Sequence, residues 1–182
     1  MIYNQWQMSI REVIQTINQM QAEGVIERYA IGGAVGAAFY LEPVSTLDVD
    51  VFVTFAQHPG SLLISPQDIF DYLKARGCAF QGEYVVIAGW PVQFLPPTSP
   101  LVEEALHDAA ERAVEGMPAR VFSAEHLAAI ALQTGRAKDK ARLVQFVEEG
   151  ALNAGRFQEL LTRHGLSQAW QKFQEQFFSD TT

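Results

Sequence analysis

The chain has 182 residues, 48% of them hydrophobic and 19% charged, which is typical of a soluble domain with its own core. The net charge of −8 argues against a broad nucleic-acid-binding surface. No apolar run approaches the roughly 18 residues that a membrane span needs. The single cysteine, Cys78, rules out an intramolecular disulfide, and the N-terminus lacks signal-peptide features. We therefore expect a cytoplasmic protein without a membrane partner.

Hydrophobic periodicity predicts alternating helices and strands over the first two thirds of the chain. Apolar residues spaced by three and four indicate helices, and strict alternation indicates strands. The predicted elements are a helix over 9–23, a strand over 28–31, a helix from Gly33 to Pro43, a strand over 46–55, a loop over 57–61, a helix over 66–77, strands over 83–87 and 91–95, a helix over 100–112 and a strand over 120–122.

The remainder of the chain reads as helical throughout, with predicted helices over 123–134, 137–149, 154–163 and 167–178. This order predicts an α+β domain over 1–122 and a helical C-terminal part over 123–182 that packs on it. Trp170 and Phe177-Phe178 are expected to pack the last helix onto the domain. A contact between copies in an oligomer is the alternative for these aromatic residues.

Two aspartates interrupt the apolar strand predicted over 46–55. Side chains alternate along a strand, so Asp48 and Asp50 share one face. The opposite face is apolar throughout and consists of Leu47, Val49, Val51, Val53 and Phe55. Neighbouring carboxylates repel unless a cation bridges them, and oxygen ligands of this kind suit Mg²⁺ or Mn²⁺. The solvated face of an edge strand is the alternative, although aspartate is a poor strand former.

A pair of glycines precedes this strand, at the start of an apolar, helix-like run. Because Gly32 and Gly33 lack Cβ atoms, backbone N–H groups there can approach a phosphate at a helix start. A tight strand-to-helix turn is the alternative. A dinucleotide fingerprint is excluded because Ile31 and Ala34 break the required Gly-x-Gly-x-x-Gly register.

Gly32-Gly33 followed by Asp48-Val49-Asp50 resembles the signature of the nucleotidyltransferase superfamily. Thr46, two residues before the first aspartate, makes the chain similar to the small AbiEii-like branch. The resemblance implies a small mixed sheet with flanking helices, followed by C-terminal helices. It also implies transfer of a nucleoside monophosphate from a nucleoside triphosphate to an unknown acceptor, with Mg²⁺ or Mn²⁺ as cofactor. The aspartates would then be catalytic and bind the metal, and the two glycines and Thr46 would bind the nucleotide.

The segment around residues 125–140 also resembles this branch, which has an Arg-x-Lys-Asp turn between two helices. Arg136 and Lys138 match that turn, and the resemblance implies that they bind the triphosphate. A solvated turn rich in charge is the alternative. Asp139 is expected to cap the next helix or to pair with one of the cations. Ala131 stands where relatives have a lysine.

The branch places a third carboxylate in a strand that resembles Pro91-Val92-Gln93-Phe94-Leu95-Pro96, where this chain has Gln93. Glutamine forms hydrogen bonds but takes up no proton near neutral pH. Glu83, on the partner strand, is the candidate substitute, with a solvated hairpin charge as the alternative. The alternative function is therefore a catalytically impaired nucleotide-binding or toxin–antitoxin-like module with the same fold.

Overall fold

The computed structural model describes residues 3–43, 46–55, 66–114 and 116–179, which form eight helices and seven strands. The helices are α1 (Tyr3–Ala22), α2 (Gly33–Ala37), α3 (Gln67–Ala75), α4 (Pro100–His107), α5 (Ala124–Thr134), α6 (Ala137–Glu148), α7 (Ala154–Arg163) and α8 (Ser167–Phe178). The strands are β1 (Ile26–Ile31), β2 (Val49–Phe55), β3 (Ala79–Gln81), β4 (Tyr84–Ile87), β5 (Trp90–Leu95), β6 (Ala110–Val114) and β7 (Met117–Val121). Among these helices, none has the length and apolar character that crossing a membrane requires.

All seven strands belong to one mixed sheet, in the order β3-β4-β5-β2-β1-β7-β6. The central strand β2 pairs antiparallel with β1 and parallel with β5. Strand β7 pairs parallel with β1, and the other neighbours form antiparallel hairpins. The edge strands β3 and β6 are short, with three and five residues. Strand β2, which contains Asp50, therefore lies in the middle of the sheet, and both of its edges are paired.

Helices cover the sheet on both faces and divide the buried side chains into two clusters. Val49, Val51 and Val53 of β2 pack in one cluster with α1 and α3. Phe52 points to the opposite face, against the second cluster, to which α4 to α8 contribute. Because side chains alternate along β2, Asp50 faces the same side as Phe52. The fold thus directs this carboxylate toward the C-terminal helices.

The predicted fold class is confirmed, because the chain forms a mixed sheet with flanking helices and then C-terminal helices. The division at residue 122 stays a prediction. Ala30 of β1 and Leu143 of α6 belong to the same buried cluster, so the helical part shares its core with the sheet. The loop predicted over 57–61 lies outside the described residues.

Three local predictions were wrong. The helix predicted over 100–112 ends at His107, since the following residues pair with β7 as strand β6. Helix α2 ends at Ala37 rather than Pro43, and the chain then turns so that Leu41 enters the core. Leu47 does not continue the apolar face of β2, because the strand begins at Val49 and Leu47 is 83% exposed.

Candidate functional site

The two aspartates lie at the beginning of β2. Asp50 is the second residue of the strand, and Asp48 lies just before it. Thr46 Oγ1 donates hydrogen bonds to the backbone oxygen of Asp48 at 3.2 Å and to its Oδ1 at 3.4 Å. The Tyr84 hydroxyl, from β4, donates to Asp48 Oδ2 at 3.5 Å. These contacts orient the first carboxylate from two different elements.

Gly33 lies directly against the carboxylate of Asp50. The Gly32 N–H donates to the backbone oxygen of Asp50 at 2.9 Å, which holds the glycine turn against β2. Gly33 has a φ of +57°, a conformation that costs other residues energy. A Cβ atom on Gly33 would overlap Asp50 Oδ2. Glycine is required here both by the backbone conformation and by the space that the carboxylate occupies.

The electrostatic environment of Asp50 brings the start of α6 into the same site. Burial raises the pKa of Asp50 above its ordinary value of 3.8, and the negative charge of Asp48 raises it further. The positive charges of Lys138, Arg136 and Arg142 act in the opposite direction. The structure therefore places both predicted cations, Arg136 and Lys138, within electrostatic range of this carboxylate.

Arg142 is a site residue that the sequence reasoning missed. Its side chain is only 16% exposed, and burial lowers its pKa while the charges of Asp139 and Asp50 raise it. The signal was present in the sequence, because Arg142 follows Lys138 by four residues. Residues with that spacing lie on the same face of a helix.

Asp139 holds these arginines in place. Its side chain is only 4% exposed, and its Oδ2 accepts a hydrogen bond from Arg136 Nε at 2.6 Å. Arg142 Nη1 lies 4.0 Å from Asp139 Oδ1. Arg136 occupies the N-cap position of α6. The predicted pairing of Asp139 with a cation is thus confirmed, and its partner is Arg136.

We expect Asp139→Asn to lower the free energy of unfolding by about 2 kcal/mol, because hydrogen bonds to charged groups contribute about 1.5–3 kcal/mol. The largely buried Arg142 would also lose its neighbouring negative charge. Denaturant unfolding measures this change. The matched control is Asp71→Asn, which removes an exposed carboxylate on α3 and should change stability by less than about 0.5 kcal/mol. Equal effects of the two variants would contradict a stabilising role for Asp139.

Gln93 occupies the position beside Asp50 on the neighbouring strand. The two residues are partners in the parallel pairing of β2 with β5, so their side chains lie on the same face. Glu83 is exposed and lies in the turn before β4 rather than within that strand. Its negative charge acts on Tyr84, which also contacts Asp48. Ala131 is buried among the helices.

The arrangement combines two oxygen-donor side chains with a glycine turn and three cations. Paired carboxylates that repel each other fit a hard divalent cation, which would relieve the repulsion. Gly33 has no Cβ atom at the point where the carboxylate of Asp50 approaches the chain. The cations on α6 suit an anionic ligand such as a polyphosphate. These residues therefore fit a site for a divalent cation together with a phosphorylated ligand.

Comparison with solved structures identifies the fold. The chain is similar to an antigenic nucleotidyltransferase-like protein from Paracoccidioides brasiliensis, with 17% identity and a TM-score of 0.58 over 91% of this chain and 87% of the other. The solution structure of the antibiotic-resistance factor ANT(2'')-Ia gives 13% identity and a TM-score of 0.53, covering 94% of this chain and 97% of that chain.

The crystal structure of ANT(2'')-Ia with adenylyl-2''-tobramycin is also similar, with 15% identity and a TM-score of 0.52 over 87% of this chain and 97% of that chain. No family model and no curated protein matches the sequence. At these levels of identity the likeness establishes the architecture of the chain. The chain has the fold of nucleotidyltransferase-like proteins.

Proposed function

We propose that this protein is a metal-dependent nucleotidyltransferase that moves a nucleoside monophosphate from a nucleoside triphosphate to an acceptor. The observation that carries the proposal is the contact between Gly33 and the carboxylate of Asp50, with the cations of α6 in electrostatic range. A solvated edge strand would not bring a glycine turn against a half-buried carboxylate. The central position of β2 also argues against the edge-strand alternative.

Asp48 and Asp50 are the proposed ligands of Mg²⁺ or Mn²⁺. When bound, such an ion neutralises phosphate charge and aligns the α-phosphate for in-line attack. Thr46 and Tyr84 orient Asp48 through their hydrogen bonds to it. Gly33 leaves the carboxylate of Asp50 the room it needs. These neighbouring residues thus hold the two carboxylates, Asp48 and Asp50, in position for the metal.

The glycine turn and α6 are proposed to bind the phosphates. The Gly32 N–H already donates a hydrogen bond to the backbone oxygen of Asp50, so the role of Gly32 is to hold the turn against β2. The first N–H groups of a helix have no partner within it, so the N–H groups of α2 from Gly33 onward are the proposed donors to a phosphate. Helix α2 has only five residues, so its dipole adds little. Arg136 and Lys138 supply most of the positive charge, and Arg142 adds to it from the same helix.

Within this superfamily we favour the AbiEii-like branch, on Thr46 and on the match of Arg136, Lys138 and Asp139 to its turn. The acceptor class is open. ANT(2'')-Ia has been solved with adenylyl-2''-tobramycin, so small hydroxyl compounds are the first acceptors to test. The negative charge of the chain makes RNA a poorer candidate. A cytoplasmic location stays a prediction.

A second candidate is a module that binds a nucleotide without transferring it. The observation that favours it is the register of Gln93 beside Asp50, because no proton acceptor stands at that position. Loss of a general base typically lowers a rate by about 10²- to 10⁴-fold. Glu83 is the carboxylate closest in the chain to the Tyr84 contact, and its exposed position makes it a weak substitute.

Isothermal titration with each of the four nucleoside triphosphates, with and without Mg²⁺, tests the proposal. We expect at least one triphosphate to bind only in the presence of the metal. Lys138→Ala should weaken that binding by about tenfold, as expected for loss of a charge-assisted hydrogen bond. Lys172→Ala, which removes an exposed lysine on α8, is the matched control.

The two candidate functions differ in pyrophosphate release. Release with any small hydroxyl acceptor supports the transferase, whereas tight binding without release supports the binding module. If no triphosphate binds with Mg²⁺, both candidates are wrong.

A further inference from the structure

A second group of chemically capable side chains lies at the junction of α4 and α5. Glu104 belongs to α4, Asp108 follows its last residue and His126 lies in the first turn of α5. One ligand atom from each residue can be chosen so that all three lie within 4.8 Å of one another. The length of α5 separates His126 from Arg136 by about 15 Å, at a rise of 1.5 Å per residue. The group shares no residue with the site around Asp50.

The buried His126 contributes to this group a ring nitrogen that has no hydrogen-bond partner among the described residues. That nitrogen is Nε2, and the residue is 6% exposed. The nearest carboxylate oxygen, Glu104 Oε1, lies 3.6 Å away. On the other side of the ring, Nδ1 is 2.8 Å from Ser123 Oγ. Either tautomer leaves Nε2 without a partner, since the position bears an unused N–H or an unused lone pair.

Neighbouring side chains contact each carboxylate, and Arg163 contacts both oxygens of Glu104. Glu104 accepts hydrogen bonds from Arg163 at 2.7 and 3.1 Å, and its Oε2 lies 2.7 Å from His164 Nε2. These contacts lower the pKa of Glu104 to about 2, so the carboxylate is ionised at neutral pH. Asp108 Oδ1 lies 2.6 Å from His107 Nδ1. Metal ligands in proteins are typically oriented by outer hydrogen bonds of this kind.

We propose that His126, Glu104 and Asp108 bind one transition-metal ion of the Zn²⁺ class. An imidazole nitrogen with two carboxylate oxygens is a donor set that suits zinc, and water completes the coordination. Zinc–ligand bonds of about 2.0–2.2 Å place tetrahedral ligand atoms about 3.4 Å apart, so the ligand atoms, which lie within 4.8 Å of one another, must approach by up to about 1.4 Å. The Nε2 of His126 and Oε1 of Glu104 are already close to that separation. The bound ion would join the end of α4 to the start of α5.

Binding of Co²⁺ and Zn²⁺ to the metal-free 182-residue chain tests this assignment. Co²⁺ with nitrogen and oxygen ligands in a tetrahedral site gives strong visible absorption bands, whereas a six-coordinate, all-oxygen site gives weak ones. We expect one strongly absorbing Co²⁺ per chain, displaced by Zn²⁺, and a higher melting midpoint with Zn²⁺. The Asp50→Asn variant should retain the strong bands, because the other proposed site uses oxygen ligands.

Asp108→Asn is the most informative variant, because the Asp108 side chain is 51% exposed and its loss should not affect folding. Loss of a group that only orients a ligand costs about 10- to 100-fold in metal affinity, and loss of a ligand should cost at least as much. Glu103→Gln, an exposed neighbour on α4, removes the same charge without removing a ligand. His126→Gln should also abolish the strong bands.

Two results would overturn the assignment. One is a Co²⁺ spectrum that is the same in Asp108→Asn as in Glu103→Gln. The other is strong absorption that disappears in Asp50→Asn, which would place the ion in the other site. In either case the group around His126 would be a network of hydrogen bonds and ion pairs that joins α4, α5 and α7.

Discussion

Gly33→Ala is expected to lower the free energy of unfolding by more than 2 kcal/mol and to abolish metal-dependent nucleotide binding. The left-handed conformation alone costs alanine about 1–2 kcal/mol, because its Cβ is too close to the carbonyl oxygen. The new Cβ would also overlap Asp50 Oδ2, so the carboxylate must move. Thermal unfolding and titration calorimetry with Mg²⁺ and nucleotide measure the two effects.

Gly150→Ala is the matched control for this variant. Gly150 also has a positive φ, of +63°, but a Cβ there meets nothing within 4 Å. The control should therefore show the conformational cost of about 1–2 kcal/mol and leave ligand binding unchanged. If Gly33→Ala melts like Gly150→Ala and binds Mg²⁺ and nucleotide normally, the contact between the glycine turn and Asp50 has no role in the site.

Mg²⁺ is expected to raise the melting midpoint of the wild type by about 5–10 °C at 100 times its dissociation constant. A ligand at that concentration adds about 2.7 kcal/mol, and a chain of this size gains about 2–4 °C per kcal/mol. In Asp50→Asn the metal-dependent rise should disappear. Without metal the variant should melt slightly higher than the wild type, because a half-buried charge next to Asp48 is removed.

The effect of Asp50 on stability has a defined pH dependence. Burial and the charge of Asp48 raise its pKa above 3.8, so the folded state binds the proton more tightly than the unfolded state. The metal-free wild type should therefore lose stability relative to Asp50→Asn as pH rises from 3.8 through the raised pKa. Mg²⁺ competes with that proton, so its affinity should fall as pH decreases through the same range.

Gln93→Asp should change the metal-free melting midpoint and its Mg²⁺-dependent rise in the direction opposite to Asp50→Asn. A third carboxylate beside Asp50 adds repulsion, so the metal-free midpoint should fall, and it adds a ligand, so the Mg²⁺-dependent rise should increase. If millimolar Mn²⁺ leaves the wild-type midpoint unchanged and Asp50→Asn melts like the wild type, the paired aspartates do not form a metal site.

The sequence predicted the elements of the site better than the contacts between them. Alternation placed Val49, Val51 and Val53 in the core and thereby fixed the face of Asp50, since strand periodicity depends only on local geometry. The same alternation wrongly placed Leu47 on the buried face. The residue at which a strand begins is set by its pairing with neighbouring strands, and β2 begins only at Val49. Strand β6 was missed for a related reason, since its pairing with β7 overrides a pattern compatible with a helix.

The placement of the α6 cations within electrostatic range of Asp50 is a tertiary feature that no local pattern encodes. Arg136 and Lys138 entered the prediction through resemblance to a family turn, and Arg142, outside that turn, was missed. The group around His126 was missed as well. Its three members come from α4, the residue after it and α5, and they lack the regular spacing that marks metal sites in sequences.

The position of the cations in the chain has a consequence for biosynthesis. The paired aspartates leave the ribosome before α6, which supplies their counter-charges and follows β2 well along the chain. During translation the carboxylates of Asp48 and Asp50 thus repel each other without their counter-charges until α6 has been made and has docked. The candidate site therefore acquires its charge balance only after α6 has been made and has docked, and a nascent chain that lacks α6 presents the acidic half alone.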